Sequence, residues 1–239
     1  MSDFSELPEY TRDTYPSFGK KYNNEIGVIS LTSWTARINT VAKTLFSLVQ
    51  QCPNFHIVLV LAEEEFPKMT AELPENLMLF VENELIELMF VRKNYRSFKK
   101  VLFTMDKYRD VPVISADDDC IYTCNYAQEL YDKWIEDKNS IWSFHLCRVC
   151  HFQHGPTTIY PPFCFSNNGI IKLSNDIMKT NHDDVYYGCM AEHLSIKIKE
   201  VSSKICYYFH DTIEALSERK LTWNTKEAID FIKKRICQK

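Results

Sequence analysis

The chain has 239 residues, with 28 Lys and Arg against 32 Asp and Glu, a formal net charge of −4. That length buries the core of one large domain or two small ones, and the lack of a basic excess argues against a general nucleic-acid binder. The few glycines form neither a G-x-G-x-x-G nor a G-x-x-x-x-G-K-[ST] run, so the common glycine-loop phosphate sites are excluded.

Residues 1–25 are polar with scattered aromatics and no period. They read as an N-terminal arm strapped to the core by Phe4, Tyr10, Tyr15 and Phe18. Asp3, Glu6 and Glu9 stand where a secretory signal would carry basic and then apolar residues. The longest apolar run, Ile57–Ala62, is far shorter than the roughly 20 residues of a membrane-spanning helix. No N-x-[ST] acceptor occurs. The expectation is a cytoplasmic protein. Its cysteines, such as Cys52, Cys120, Cys164 and Cys206, are odd in number and spread through apolar segments, which suits reduced core residues.

Ile26–Leu31 is the first expected strand. Ile38, Val41, Leu45, Leu48 and Val49 share one helical face, and Pro53 ends that helix. His56–Ala62 is continuously apolar, as in a strand buried on both faces. Residues 63–80 are mixed and broken by Pro67 and Pro74. Leu88–Val91 is a third strand. Phe98–Tyr108 is a helix, with Val101, Leu102, Met105 and Tyr108 on one side, and Val111–Ser115 is a fourth strand. This alternation predicts a single α/β domain with a mixed, mainly parallel central sheet flanked by helices.

The second half is less regular. Tyr126–Lys138 reads as a helix and Ile141–Leu146 as a strand. His151–Ser166 is rich in proline and aromatics. Glu192–Ile198 reads as a helix and Ile205–Phe209 as a strand. Asn224 with Glu227 three residues on forms a capping box opening a final helix with Ile229, Ile232 and Ile236 on its face. A catalytic unit over 26–223 is thus followed by an amphipathic helix over 224–239. That helix carries Lys226, Lys233, Lys234, Arg235 and Lys239 against Glu227 and Asp230. Such a charge pattern suits at most weak, salt-sensitive association with an anionic membrane. The weightier reading is a packed terminal helix whose cations favour its C-terminal end.

The sharpest signal is Val113-Ile114-Ser115-Ala116-Asp117-Asp118-Asp119. Carboxylates two residues apart can converge on one cation, and α/β ligands bind at the ends of parallel strands. Like charges this close are costly without a counter-ion. A plain acidic turn is the competing reading.

At this point the chain resembles glycosyltransferases of the GT-A fold, whose Asp-x-Asp motif holds a divalent metal on a nucleotide-sugar diphosphate. More narrowly it resembles a family of small bacterial and viral glycosyltransferases, over roughly residues 26–210. The segments that carry the likeness are Val28 to Ile38 (VISLTSWTARI), Lys99-Lys100, Ser115 to Tyr122 (SADDDCIY), Phe165 to Ile171 (FSNNGII) and His182 to Tyr186 (HDDVY). The fourth carries Asn167-Asn168 before a single Gly169, where paired glycines are usual.

The resemblance implies transfer of a sugar from a nucleoside-diphosphate sugar, expected to be a UDP-sugar, to a hydroxyl of a glycan or lipid-linked acceptor, with Mn2+ or Mg2+. It implies Asp117, Asp119 and His210 as metal ligands. It implies nucleotide-sugar contacts from Thr32, Ser33, Arg37, Lys99, Lys100, Asp117, Asp118, Asn168 and Gly169. Asp183 and Asp184 become the candidates for acceptor binding or general base, since an attacking hydroxyl must lose its proton to a group within hydrogen-bond reach. Each has a plainer reading: Thr32 and Ser33 as helix caps, the lysines as a solvated face, and Asp183 and Asp184 as acids favoured at a helix N-terminus.

Three other patterns compete. Cys147-Arg148-Val149-Cys150-His151 spells the C-x-x-C-H haem attachment run, and with His145 or His154 it offers zinc ligands. Reduced cysteines lining a core or acceptor pocket are the favoured reading there. Asp117-x-Asp119 also resembles the motif of aspartyl-nucleophile phosphatases, which sits on the first strand of its domain. A sugar-phosphate nucleotidyltransferase would need a glycine-rich loop after the first strand, and Thr32–Ile38 has no glycine.

Overall fold

The computed structural model describes residues 15–50, 54–146, 157–165, 173–201, 207–210 and 224–237. Its strands are β1 (Ser17–Gly19), β2 (Gly27–Thr32), β3 (Phe55–Ala62), β4 (Glu87–Val91), β5 (Val113–Ser115), β6 (Cys120–Tyr122), β7 (Ile141–Ser143), β8 (Thr158–Tyr160), β9 (Ile198–Glu200) and β10 (Tyr207–Phe209). Its helices are α1 (Val41–Val49), α2 (Glu75–Glu82), α3 (Lys99–Lys107), α4 (Tyr126–Glu136), α5 (Asn175–Met178), α6 (Asp183–His193) and α7 (Thr225–Cys237). The main sheet runs β1-β4-β3-β2-β5-β8-β7-β9, and β6 pairs with β10 in a separate ribbon. The centre of the sheet, β4-β3-β2-β5, is parallel. Strands β1 and β8 join it antiparallel. This is the expected α/β architecture.

The apolar runs explain the layering. All eight residues of β3 are buried, because both faces of the sheet are covered. Alternate residues point to opposite faces. Ile29, Ile57, Leu59, Leu88 and Ile114 pack with Val41, Leu45 and Leu48 of α1 and with Leu77 and Val81 of α2. Val28, Val58, Val60, Met89 and Val113 pack on the other side with Val101, Leu102 and Met105 of α3 and with the buried faces of α6 and α7. Each fully buried Leu, Ile or Val stabilises the fold by roughly 1.5–3 kcal/mol, so this central block fixes the strand ends that carry the site.

Tyr15 is buried, packs edge-on against Phe103, and donates a 3.1 Å hydrogen bond to Asp106. Phe18 packs on Phe90. Phe4 and Tyr10 lie outside the described residues. Gly19 has φ of 84°, and a Cβ there would lie 2.5 Å from the Ile86 carbonyl, so β1 can turn against the sheet only with glycine. Cys120, Cys164 and Cys189 are free, buried thiols, as expected of core cysteines, whereas Cys124 and Cys237 are exposed. Cys52 and Cys206 lie outside the described residues.

Two stretches depart from the sequence reading. The proline-broken region contains α2, because Pro74 occupies the N-cap position, where its missing N–H costs nothing. Glu192–Ile198 is not a helix: α6 ends at His193, Ser195 adopts φ of 58°, and the chain leaves as β9. Helix α6 itself is buried nearly all round, so it offers no polar face from which a period could be read. The capping box is present. Glu227 N–H donates to Asn224 Oδ1 at 3.0 Å, and Asn224 N–H donates to Glu227 Oε2 at 3.1 Å. Helix α7 buries Ala228, Ile232 and Ile236, and its Lys233 and Arg235 pair with Glu192 and Asp176. No described helix is long and apolar enough to cross a membrane.

Candidate active site

Strand β2 lies between β3 and β5, so the chain leaves β2 towards one side of the sheet while β5 lies on the other. Where strand order reverses in this way, the loops beyond the strand ends part and leave a crevice. The loop after β2 supplies Ser33 and Arg37, and the loop after β5 supplies Asp117, Asp118 and Asp119. Ser33 Oγ donates to Asp118 Oδ2 at 2.6 Å, and Arg37 Nη1 donates to Asp118 Oδ1 at 2.8 Å. The same Nη1 lies 3.0 Å from Asp119 Oδ2. Ser33, Arg37, Asp118 and Asp119 are all buried.

A second acidic element meets the first through one lysine. Lys100, in the first turn of α3, places Nζ 2.7 Å from Asp117 Oδ1 and 3.1 Å from Asp183 Oδ2 at the start of α6. Its backbone is held to β2, since the Ser30 hydroxyl bonds to the Lys100 carbonyl. Asp184, next along α6, accepts from the Val185 N–H at 2.8 Å.

The charges are strongly perturbed. Burial and the neighbouring Asp117 charge push the Asp119 carboxyl up to about 6, against the pull of Arg37. Burial also raises Asp118, although Ser33 and Arg37 oppose it. Burial and Asp183 push Asp184 up to about 7 despite Lys100. Burial alone would lower Lys100, but Asp117 and Asp183 outweigh it and hold the ammonium well above its ordinary value.

The backbone of the acidic run is fixed from three sides. Asp117 N–H donates to the Tyr122 hydroxyl at 2.7 Å. Thr44 of α1 donates to the Asp118 carbonyl at 2.9 Å. His210 N–H, continuing the β6–β10 pairing, donates to the Asp119 carbonyl at 2.9 Å. The His210 ring reaches Thr44, with Nε2 2.9 Å from Oγ1. Cys120 Sγ lies 3.4 Å from Asp119 Oδ1.

The structure therefore brings together Ser33, Arg37, Lys100, Asp117, Asp118, Asp119, Asp183 and His210, with Asp184 adjoining. Two expected residues point elsewhere. Thr32 donates to the Val60 carbonyl at 2.6 Å. Lys99 is buried and directs Nζ to Glu65 at 3.2 Å and Asn94 at 3.3 Å. Asn168 and Gly169 lie outside the described residues, as do Cys147, Cys150, His151 and His154. His145 is described and packs edge-on against Tyr207.

Sequence reasoning missed Thr44 and Tyr122. A signal existed for Thr44: with Ser47 it is a polar residue on the buried side of α1 beside Val41, Leu45 and Leu48. None existed for Tyr122, whose role depends on how the chain folds back after Asp119.

Among the described residues no set of three His, Cys, Asp or Glu side chains is arranged to hold a metal unaided. The donor chemistry nevertheless fits a hard cation carried by a diphosphate. Mg2+ and like ions bound with phosphates take one or two protein carboxylates, and ligand oxygens and water supply the rest. Asp119, raised by burial among acids, is the group whose ionised form a cation would favour.

No protein-family model and no curated protein sequence matches the chain significantly. Solved structures do match in fold. S. aureus TarS 1-349 in complex with UDP-GlcNAc aligns with a TM-score of 0.59 at 14% identity, over 89% of this chain and 67% of that one. S. aureus TarS aligns at 0.56 and 14% identity, over 79% of this chain and 37% of that one. The mannosyltransferase PcManGT from Pyrobaculum calidifontis, in complex with GDP-Man and Mn2+, aligns at 0.50 and 10% identity, over 79% and 58%. The chain thus spans little more than a third of TarS and under two thirds of PcManGT. The likeness is one of fold.

Proposed function

We propose that the chain is a metal-dependent glycosyltransferase that moves a sugar from a nucleoside-diphosphate sugar, a UDP-sugar by preference, to a hydroxyl of a glycan or lipid-linked acceptor. The observation that carries this reading is the junction at Lys100, which joins the acidic run beyond β5 to the acidic pair opening α6. In this reading the donor-side and acceptor-side groups share one crevice. The fold, shared with proteins solved with UDP-GlcNAc and with GDP-Man and Mn2+, supports a nucleotide-sugar donor.

In this reading Ser33, Arg37 and Asp118 form the nucleotide side of the crevice. Asp117 and Asp119, with His210, would hold Mn2+ or Mg2+. The cation would supply charge to offset that developing on the leaving nucleoside diphosphate. Lys100 and Arg37 add fixed positive charge in a buried setting, where it acts more strongly than in water. Asn168 and Gly169 belong to the proposed donor-sugar loop.

The acceptor hydroxyl oxygen forms the new bond to the anomeric carbon, and the bond from that carbon to the diphosphate oxygen breaks. The electron pair leaves with the nucleoside diphosphate. Asp184 receives the hydroxyl proton, and a carboxyl pushed up to about 7 suits proton transfer near neutral pH. Asp183, ion-paired with Lys100, orients the acceptor.

The test is to incubate the protein with UDP-GlcNAc, UDP-glucose or GDP-mannose, with and without Mn2+, and follow release of nucleoside diphosphate. Metal-dependent release from at least one donor is expected. No release from any nucleotide sugar, whatever the metal or acceptor, overturns the reading.

A further inference from the structure

The groups that hold the acidic run in place contain one assignment that follows from counting protons. A threonine hydroxyl has one proton and accepts through its lone pairs. Thr44 Oγ1 has two polar neighbours at 2.9 Å, the Asp118 carbonyl and His210 Nε2. The carbonyl can only accept. If the Thr44 proton went to His210 instead, Oγ1 and the Asp118 oxygen would face each other at 2.9 Å with lone pairs opposed, at a buried position. The proton therefore goes to the Asp118 carbonyl, and Thr44 must accept from His210. That requires the hydrogen on Nε2 and leaves the lone pair of the neutral ring on Nδ1.

We propose that Thr44 is a positioning residue: it anchors the Asp118 peptide and sets His210 in the Nε2–H tautomer, with the lone pair of the neutral ring on the buried Nδ1. The role assigned to His210 in the candidate metal site rests on the glycosyltransferase reading, but the tautomer does not. A histidine ligand is commonly set by the hydrogen bond its other ring nitrogen makes, and loss of such an outer partner typically weakens metal binding roughly 10–100-fold. Here the outer partner also fixes the backbone of the acidic run. Thr44 and the His210 N–H hold the carbonyls of Asp118 and Asp119, so one helix and one strand clamp adjacent peptides. A polar residue on the buried face of α1 then has a reason that core packing does not supply.

The tautomer is measurable without substrate. Long-range 1H–15N NMR distinguishes a protonated from an unprotonated ring nitrogen, and His210→Gln identifies the signals by their disappearance. The expected result at pH 8 is one neutral form of His210 with hydrogen on Nε2, in the wild type and in Thr44→Ser alike. Thr44→Val, close in shape but without the hydroxyl, should give a mixture of both neutral forms. A second readout follows added Mn2+ in the presence of UDP by the electron paramagnetic resonance of the free ion. Thr44→Val should weaken uptake about tenfold, while Thr44→Ser stays close to wild type. Hydrogen on Nδ1 in the wild type overturns the proposal, as does an unchanged tautomer in Thr44→Val. Wild-type Mn2+ uptake in Thr44→Val removes the positioning role. If the tautomer is as stated but no nucleotide sugar is ever turned over, the glycosyltransferase reading fails and the assignment of Thr44 and His210 stands. If turnover occurs and Thr44→Val leaves the tautomer unchanged, the reverse holds.

Discussion

The sheet buries charge at both of its edges and treats it in opposite ways. At the N-terminal ends of the parallel strands, Glu87 opens β4 and is almost fully enclosed. It meets His56 Nε2 at 2.7 Å, the Lys107 ammonium and the Tyr108 hydroxyl. Burial would raise this carboxyl, but His56, Lys107 and Tyr108 together hold it at about 2. At the C-terminal ends, the carboxyls of Asp117, Asp118, Asp119, Asp183 and Asp184 share the cations of Arg37 and Lys100. There Asp119 rises to about 6 and Asp184 to about 7. One edge surrounds the Glu87 carboxylate with donors. The other keeps a surplus of negative charge in a crevice, an arrangement a cation would stabilise. Perturbed groups gather at functional sites, and the contrast within one sheet supports the proposal that the acidic crevice is the functional cluster.

The contrast breaks first at Asp117 and Asp119, the acids proposed to hold the cation. Asp117→Asn and Asp119→Asn should each lower sugar transfer by roughly 100-fold or more, since each removes a carboxylate proposed to hold the cation at the reacting diphosphate. Asp119→Asn should not lower the melting temperature of the ligand-free protein, because it removes a carboxyl raised by burial among acids. Asp117→Asn should lower it, because it takes a partner from the buried Lys100 ammonium. Nucleoside-diphosphate release and thermal unfolding measure the two effects. Near-normal turnover in either variant would remove these residues from the site.

Lys100→Met should be the most destabilising change in the crevice. It leaves Asp117 and Asp183 facing each other without their shared cation, and breaking a buried pair in this way costs roughly 3–5 kcal/mol. Denaturant unfolding at pH 7 checks this, and stability equal to the wild type contradicts it.

Asp184 sharpens the comparison through pH. Its folded value of about 7 predicts a transfer rate that rises with pH through that region, as the carboxylate becomes able to take a proton. Asp184→Asn should lose that limb and roughly 100-fold or more in rate. A pH–rate profile of the two proteins decides it.

The smallest effect lies in stability against pH. Asp119 and Asp184 have folded values above the unfolded carboxyl range, so they oppose folding when ionised, and lowering the pH through about 7 and 6 should stabilise the protein. Glu87 is the reverse. Its contribution is present above the model-peptide carboxyl range and is lost as pH falls towards about 2. Melting temperatures from pH 8 to 3 should therefore rise and then fall. Asp119→Asn flattens the first limb and Glu87→Gln the second, with the transfer activity of Glu87→Gln intact.

How much of this was legible in the sequence follows from how local each feature is. Strand β3 announced itself because both faces are buried, and Asp117 to Asp119 because three acids stand together at a strand end. Helix α6 was hidden by being buried all round, and the turn at Ser195 by a conformation its side chain does not advertise. Lys99 and Lys100 look alike in sequence, yet successive helical residues face different ways, and only Lys100 reaches the crevice. The pairing of Lys100 with Asp183, like that of Thr44 with His210, joins distant parts of the chain, and no local pattern encodes it.

The central claim is that the acidic crevice takes a divalent cation together with a nucleoside diphosphate. Calorimetric titration of UDP and of GDP at pH 7, with and without Mn2+, into the wild type and Asp119→Asn tests it most directly. The account predicts binding of at least one nucleotide by the wild type that depends on Mn2+, and little or none by Asp119→Asn. Equal binding with and without the metal, equal binding by the two proteins, or no binding of either nucleotide would contradict it.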